Sequence, residues 1–423
     1  MTGCGTLRIQ RPAAAALVPP DTAYPNMTDE SRHIDTLLQH LGTAPFDPDT
    51  GAAPVNLPSM RASTVRFRDL AALEQAQRRK AGGDRAVTYG RMGMDTHAAL
   101  EHVFKELEAG THCYLASSGM GAVTMAFLSL LSAGEHALVA DCVYGPVYEL
   151  DNAVLKRMGI ELTFFAPGDD LQALVRPNTR LLYVESPGSL LFQMLDLPAL
   201  AEFARRNQLV LATDNTWGSG YIYRPLELGA QVSVIAGTKY VGGHSDLMLG
   251  AVVTNDEAVA QRLNRTQYAM GYSVSADDAW LALRGVRTLP IRMAQHARHA
   301  QRVCEFLQGR PEVARIYHPA WPQDPGHALW LRDCCGSNGM LAVELRLSQP
   351  AARVFVESLQ LFGIGFSWGG FESLVQLVTP GELARHRYWQ GGGNALVRLH
   401  IGLESPEDVI ADLTQALARA ASA

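Results

Sequence analysis

Between residues 115 and 255 the chain alternates short, almost wholly apolar runs with helical patterns, and this alternation limits the fold more than any other feature of the sequence. The runs place strands near 137–141, 161–166, 180–185, 209–214, 232–236 and 249–253. Helices are expected between several of them, most clearly at Gly121 to Leu131, Pro146 to Met158 and Pro198 to Arg206. Asp196 is placed to cap the last, and Pro198 suits its first turn. A strand apolar on both faces must be covered on both. The pattern therefore specifies an α/β architecture, a mostly parallel sheet with helices on each side, in which ligands bind at the carboxyl ends of the strands.

The flanks read differently. Residues 1–26, rich in Ala and Pro, lack material for a core and are expected to be disordered or to lie upstream of a start at Met27. Residues 27–93 form an arm with a helix on Ile34, Leu37, Leu38 and Leu41, closed by Gly42, with Thr28 available as N-cap and Asp29 and Glu30 in the first turn. Further helical patterns cover 69–79, stopping at Gly82 and Gly83, and run from Thr96 through Leu107 to Gly110. Residues 94–285 form the large domain. Beyond it, residues 286–423 mix long helical patterns with strand-like runs at 339–347 and 396–401, a smaller α+β domain.

Composition removes several function classes. With 36 basic and 42 acidic residues the net charge is −6, which gives nucleic acid no basic surface to bind. The charged fraction of 18% falls below the roughly 25% usual for soluble domains, as suits a chain that buries surface in an oligomer. No apolar run approaches the roughly 18 residues of a membrane span. The stretch Ala13 to Val18, after Arg8 and Arg11, is short for a signal-peptide core. The cysteines at 4, 113, 142, 304, 334 and 335 form no CxxC pair and read as reduced thiols of a cytoplasmic protein.

Candidate chemistry sits where the sheet places loops. The run 209–212 ends in Thr213, Asp214, Asn215, Thr216 and Trp217, and the run 232–235 ends in Ala236, Gly237, Thr238 and Lys239. Parallel strands deliver both endings to one rim. A carboxylate and an amine there suit a cofactor that needs an anion at one ring edge and a covalent amine anchor at the other; an ordinary Asp–Lys ion pair satisfies the same spacing. Ser117 to Gly121 opens a helix, whose first amides make an anion site, or merely a capped helix start. As a dinucleotide fingerprint it fails, because position 124 is Thr. In the run 396–401, Arg398 and His400 share one strand face, and Val397, Leu399 and Ile401 the other. The Arg398 fork fits a carboxylate, unless it simply faces solvent. Ser367 and Trp368 stand among Gly363, Gly365, Gly369 and Gly370, as substrate lining or as part of a sharp loop. His244 has no second ligand at metal spacing, and no metal is expected.

A set of ordered motifs spans residues 30–415: Tyr89-Gly-Arg91 with Thr96-His97, Ser118-Gly-Met120, Tyr144, Glu185-Ser-Pro-Gly-Ser189, Asp214-Asn-Thr-Trp217, Thr238-Lys-Tyr240 with Gly243-His-Ser-Asp246, Arg284 to Leu289, Phe366 to Ser373 and Arg398 to Glu404. In these the chain resembles the pyridoxal 5′-phosphate enzymes of cysteine and methionine metabolism, transferases of fold type I with an aspartate-aminotransferase-like architecture. The resemblance implies that Lys239 anchors the cofactor and moves the substrate Cα proton, that Asp214 pairs with the ring nitrogen, and that Tyr144 stacks on the ring. It implies that Gly119, Met120 and Thr238 bind the phosphate, with Tyr89 and Arg91 from a neighbouring subunit. Arg398, Ser367, Trp368 and Tyr89 would bind the substrate. Ala236, and Gly188-Ser189 after Glu185-Ser-Pro, look like the β-lyase branch. Gly237, Phe366 and Phe371 depart from residues familiar there.

The implied activity is β-elimination of L-cystathionine to L-homocysteine, pyruvate and ammonia, as in methionine biosynthesis, by a homotetramer built as a dimer of active dimers. A γ-lyase, γ-synthase or cysteine desulfhydrase would share Lys239 and Asp214, and a regulatory or interaction protein could keep the fold. A nicotinamide-dependent dehydrogenase is undercut by the failed fingerprint.

Overall fold

The six apolar runs, with one further strand, pair into a seven-stranded sheet of order β1-β7-β6-β5-β4-β2-β3. These are β1 His112–Ala116, β2 His136–Ala140, β3 Glu161–Phe165, β4 Thr179–Glu185, β5 Val210–Asp214, β6 Val232–Ile235 and β7 Gly250–Thr254. From β3 across to β6 every pairing is parallel, and β7 runs antiparallel to both β6 and β1. The structure is a computed structural model and describes residues 32–82 and 85–422. The N-terminal extension, the cap at Thr28 with Asp29 and Glu30, and Gly83 lie outside the described residues.

Strands β2, β6 and β7 are buried along their whole length, so both faces of the sheet are covered. The helix Gly119–Leu130 packs on β1, β6 and β7, and the helix Leu197–Arg206 on β5. The latter carries its proline in the first turn and is capped by Asp196, whose carboxylate accepts from the Ala199 amide at 3.3 Å. The segment expected as one helix from Pro146 to Met158 is continuous but changes pitch, from α (Pro146–Leu150) through π (Asp151–Leu155) to 3-10 (Lys156–Met158). The sequence reading also omits β1. That strand lies at the sheet edge, only half-buried over His112, Cys113 and Tyr114, so it carries neither a solid apolar run nor a clean alternation.

A second sheet, of order β10-β11-β12-β9-β8, uses β8 Val313–Tyr317, β9 Met340–Leu345, β10 Gly363–Ile364, β11 Leu374–Val378 and β12 Ala395–His400. The helices Leu289–Gln308, Gln349–Ser358 and Pro406–Ala421 pack with it around a separate core that includes Val397, Leu399 and Ile401. Leu396, on the opposite face of β12, belongs to the core of the large sheet. Alternation along β12 thus turns Arg398 and His400 toward the junction of the two sheets. Among the described residues no helix is long and apolar enough to cross a membrane.

Strand order positions the site. From β2 the chain moves outward to β3, then returns to β4 on the other side of β2 and continues through β5 to β6. Connections after β2 and after β4 therefore diverge and leave a crevice at the strands' carboxyl ends.

Candidate active site

The carboxyl ends of β1, β2, β4, β5 and β6 meet β12 and the loop between β10 and β11 around a cavity of about 560 Å³. Gly119, Met120, Tyr144, Asp214, Thr238, Lys239, Ser367, Trp368 and Arg398 all line it. Tyr89 and Arg91 do not line this chain's cavity. Instead the Arg91 guanidinium donates to the Tyr268 carbonyl at 2.9 Å and lies over the Tyr268 ring, while Tyr89 is half exposed.

Asp214 ends β5 beside Glu185, its register partner at the end of β4. Burial pushes the Asp214 carboxyl above its ordinary range, against hydrogen bonds from Thr216 and the charge of Lys239. The Thr216 amide donates to its Oδ1 at 2.9 Å. Glu185 is pushed further up, by desolvation and then by Asp214, and its Oε2 accepts from the Tyr144 amide at 2.6 Å. Two neighbouring carboxyls in a poorly solvated wall favour a cation placed against them.

Lys239 follows β6, and burial, with Arg398 adding, lowers its amine to about 8. Its Nζ donates to the Ser367 hydroxyl at 2.6 Å and lies 5.3 Å from the centre of the Trp368 ring. Arg398 donates to the Ser367 carbonyl at 3.2 Å. Ser367 thus sits between the amine and the guanidinium, and it does so with φ at 77°, a strained value for a residue with a Cβ. Two residues on, Gly369 has φ 91°, and a Cβ there would stand 2.8 Å from the Tyr240 amide nitrogen. The loop can approach the Lys239 backbone only through glycine.

His400 holds this loop. Its Nε2 accepts from the Gly369 amide at 3.1 Å and its Nδ1 donates to the Glu372 carbonyl at 2.9 Å. His400 shares the Arg398 face of the strand, and nothing in the sequence gives it a task. Tyr148, Glu149, Gln376, Glu382, Arg385 and His386 line the same cavity without a motif in the sequence that marks them. Gln376 was legible in principle, because it pairs with Arg398 across β11 and β12. His244 bonds through Nδ1 to the Gly242 carbonyl at 2.9 Å.

At the phosphate end, Ser118 caps the helix by accepting from the Gly121 amide at 3.0 Å. The amides of Gly119 and Met120 fall in the first turn, where no intrahelical acceptor exists. The Thr238 hydroxyl is bound to Leu249, accepting from its amide at 2.9 Å and donating to its carbonyl at 3.2 Å.

The family model of the Cys/Met metabolism PLP-dependent enzymes matches residues 35–418. The chain belongs to this family. It is 80% identical over 396 residues to a cystathionine beta-lyase of Bordetella avium, covering 93% of this chain and 100% of that one. A cystathionine beta-lyase of Haemophilus influenzae is 39% identical over 375 residues, covering 87% and 94%. Among solved structures, a cystathionine gamma-lyase of Lactobacillus plantarum complexed with L-serine superposes with a TM-score of 0.82 at 32% identity, covering 92% and 100%.

As a member of this family the chain is an enzyme of fold type I that uses pyridoxal 5′-phosphate, and its residues fit that group. Asp214 and Glu185 call for a cation, which a protonated pyridine nitrogen supplies. Lys239 is a partly unprotonated amine for the aldehyde, and the first-turn amides of the helix Gly119–Leu130 suit a phosphate. At Gly237 a Cβ would stand 2.7 Å from Leu249 Cδ2 and 3.0 Å from Phe104 Cζ, so a larger residue there requires these two buried side chains to shift.

Proposed function

We propose that the chain is a carbon–sulfur β-lyase that converts L-cystathionine and water to L-homocysteine, pyruvate and ammonia. The observation that carries this is the grouping of Lys239, Asp214 and Arg398 around one cavity, in a chain 80% identical to a cystathionine beta-lyase. Bound in the cavity, pyridoxal 5′-phosphate supplies the electron sink that makes a substrate Cα proton removable. The rest falls to the protein. Arg398 holds the substrate α-carboxylate, with one nitrogen already fixed on Ser367. Asp214 keeps the ring nitrogen protonated. Lys239, with its amine lowered to about 8, takes the Cα proton at neutral pH.

The Cβ–S bond then breaks, its electron pair leaving on the homocysteine sulfur. Tyr144 is held protonated above its usual range by burial and by Glu185, and stands at the cavity wall to give that sulfur a proton. One water hydrolyses the remaining three-carbon enamine to pyruvate and ammonia.

Tyr89 and Arg91 complete the phosphate site of a neighbouring subunit, so that residues 27–93 serve as the inter-subunit arm of a homotetramer. Their place outside this chain's cavity and the exposure of Tyr89 support that reading. The enzyme works in the cytoplasm. The test is to supply L-cystathionine to the purified holoenzyme and quantify pyruvate and free thiol together. Equal yields support β-elimination; α-ketobutyrate in place of pyruvate moves the cleavage to the γ-carbon, and neither keto acid ends the proposal.

A further inference from the structure

Lys239, Arg385 and Arg398 bring three basic side chains to the cavity wall, and the reaction as described uses only the first and third. Arg385 follows the short helix Pro380–Leu383, whose start is fixed by a capping box between Thr379 and Glu382. Two residues on, Arg387 ties the segment to the large sheet: its amide donates to Asp141 at 3.0 Å and its guanidinium pairs with Asp169 at 2.6 Å. Those acids are spoken for by Arg387. Glu382 is likewise engaged, by Thr379 and Gln376. Among the described residues Arg385 has no carboxylate partner, and it is exposed toward the cavity it lines.

Its position is nonetheless built. The guanidinium carbon lies 5.1 Å from the centre of the Tyr148 ring. Tyr148 is in turn stacked on Phe164, with ring centres 4.0 Å apart and planes 10° apart, and its hydroxyl donates to the Asp141 carbonyl at 3.0 Å. A guanidinium laid on a rigid aromatic face keeps its edge donors free for an incoming planar anion. Tyr148 stands four residues beyond Tyr144, and both line the cavity.

We propose that Arg385 is a specificity-determining residue that binds the carboxylate on the leaving half of the substrate, the end remote from the bond that breaks. The inference rests on the β-lyase reading and names its substrate class: thioethers whose departing thiol, or disulfides whose departing hydropersulfide, itself carries a carboxylate. Arg398 then holds one end of a dicarboxylic substrate and Arg385 the other, with the Cβ–S bond between them. Orienting the leaving sulfur by its far end would favour cleavage at Cβ over loss of the substrate back to solvent.

The test compares L-cystathionine with S-ethyl-L-cysteine, which has the same reacting half and no distal carboxylate, in the holoenzyme and in the Arg385→Ala, Arg385→Gln and Arg385→Lys variants. The readout is the ratio of kcat/KM for the two substrates, which does not depend on how much of each variant is active. Arg385→Ala and Arg385→Gln are expected to lower that ratio by about 10–100-fold, mainly through KM for cystathionine, with Arg385→Lys intermediate. A ratio within twofold of the parent in all three variants overturns the assignment of Arg385 alone. A parent enzyme that releases pyruvate from neither substrate overturns the β-lyase reading itself, and this inference with it.

Discussion

Replacing His400 by Phe tests whether the strand that carries Arg398 also seats the substrate loop. Both ring nitrogens of His400 are used, one accepting from Gly369 and one donating to Glu372, so the ring is neutral with its proton on Nδ1. Burial holds it neutral, well below the usual histidine range. Phe preserves the ring volume beside Tyr240 and His296 but leaves the Gly369 amide and the Glu372 carbonyl without partners. An unpaired buried polar group costs about 1–3 kcal/mol, so the seated loop is destabilised by ~2–6 kcal/mol in total. The loop's alternative is to leave its seat, taking Ser367 from Lys239 and Arg398. At about 1.4 kcal/mol per tenfold, even the low end predicts a fall of ~30-fold in kcat/KM for L-cystathionine.

His400→Gln, which can offer an acceptor to Gly369, should recover part of the loss. The assay is steady-state pyruvate release, with bound cofactor quantified in each variant. A His400→Phe enzyme with full cofactor content and both kcat and KM within twofold of the parent would refute the reasoning. Acid gives an independent check. Because the folded pKa of His400 is depressed, its contribution is intact above about 6.5 and is lost as pH falls toward the folded value, at up to ~1.4 kcal/mol per unit. His400→Gln should therefore lose less of its own stability between pH 6.5 and 5 than the parent does.

In the cofactor-free protein, covalent capture of pyridoxal 5′-phosphate by Lys239 should rise with pH through about 8 and level off above it, because only the neutral amine attacks; a midpoint at or above 10 contradicts the burial argument. Arg398→Lys keeps the charge but loses the fork, and KM for L-cystathionine should rise about 10-fold or more, read from initial rates. Arg91→Ala should weaken cofactor binding, measured by spectral titration. Mixing it with Lys239→Ala after subunit exchange should restore some activity, since hybrid interfaces contain one intact site; exchange demonstrated by mass without any recovery counts against the contribution in trans.

The fold was legible where each strand is solidly apolar. All six strands of the large sheet read from the sequence, β2 to β7, are found within a residue or two: β2, β6 and β7 are buried along their whole length, and the edge strand β3, though only partly buried, still carries Leu162, Phe164 and Phe165. The other edge strand, β1, was not, since His112, Cys113 and Tyr114 are half-buried and form neither an apolar run nor an alternation. The same physics applies to the site. Asp214 ends β5 and Lys239 follows the end of β6, its parallel neighbour, so counting strands brings them to one rim with no knowledge of the tertiary structure. Alternation of two fixes the face that Arg398 takes on β12.

Alternation says nothing about what stands opposite that face, and here the sequence loses its hold. The stack of Phe164, Tyr148 and Arg385 draws on three segments more than 200 residues apart at the extremes, and the pattern of each segment by itself says nothing of the other two. What distinguishes Arg385 from Arg387 is only which acids lie within reach: Asp141 and Asp169 meet one and not the other. Chemistry at Cα is therefore carried by strand ends, which the period of the sequence locates. Discrimination among leaving groups is carried by loops that meet across the crevice, and such loops can change their charges without disturbing the strands that perform the reaction. That separation is why a substrate preference shows in a cation left without a partner, and why the ratio of two substrates, more than the loss of one, is the measurement that reaches it.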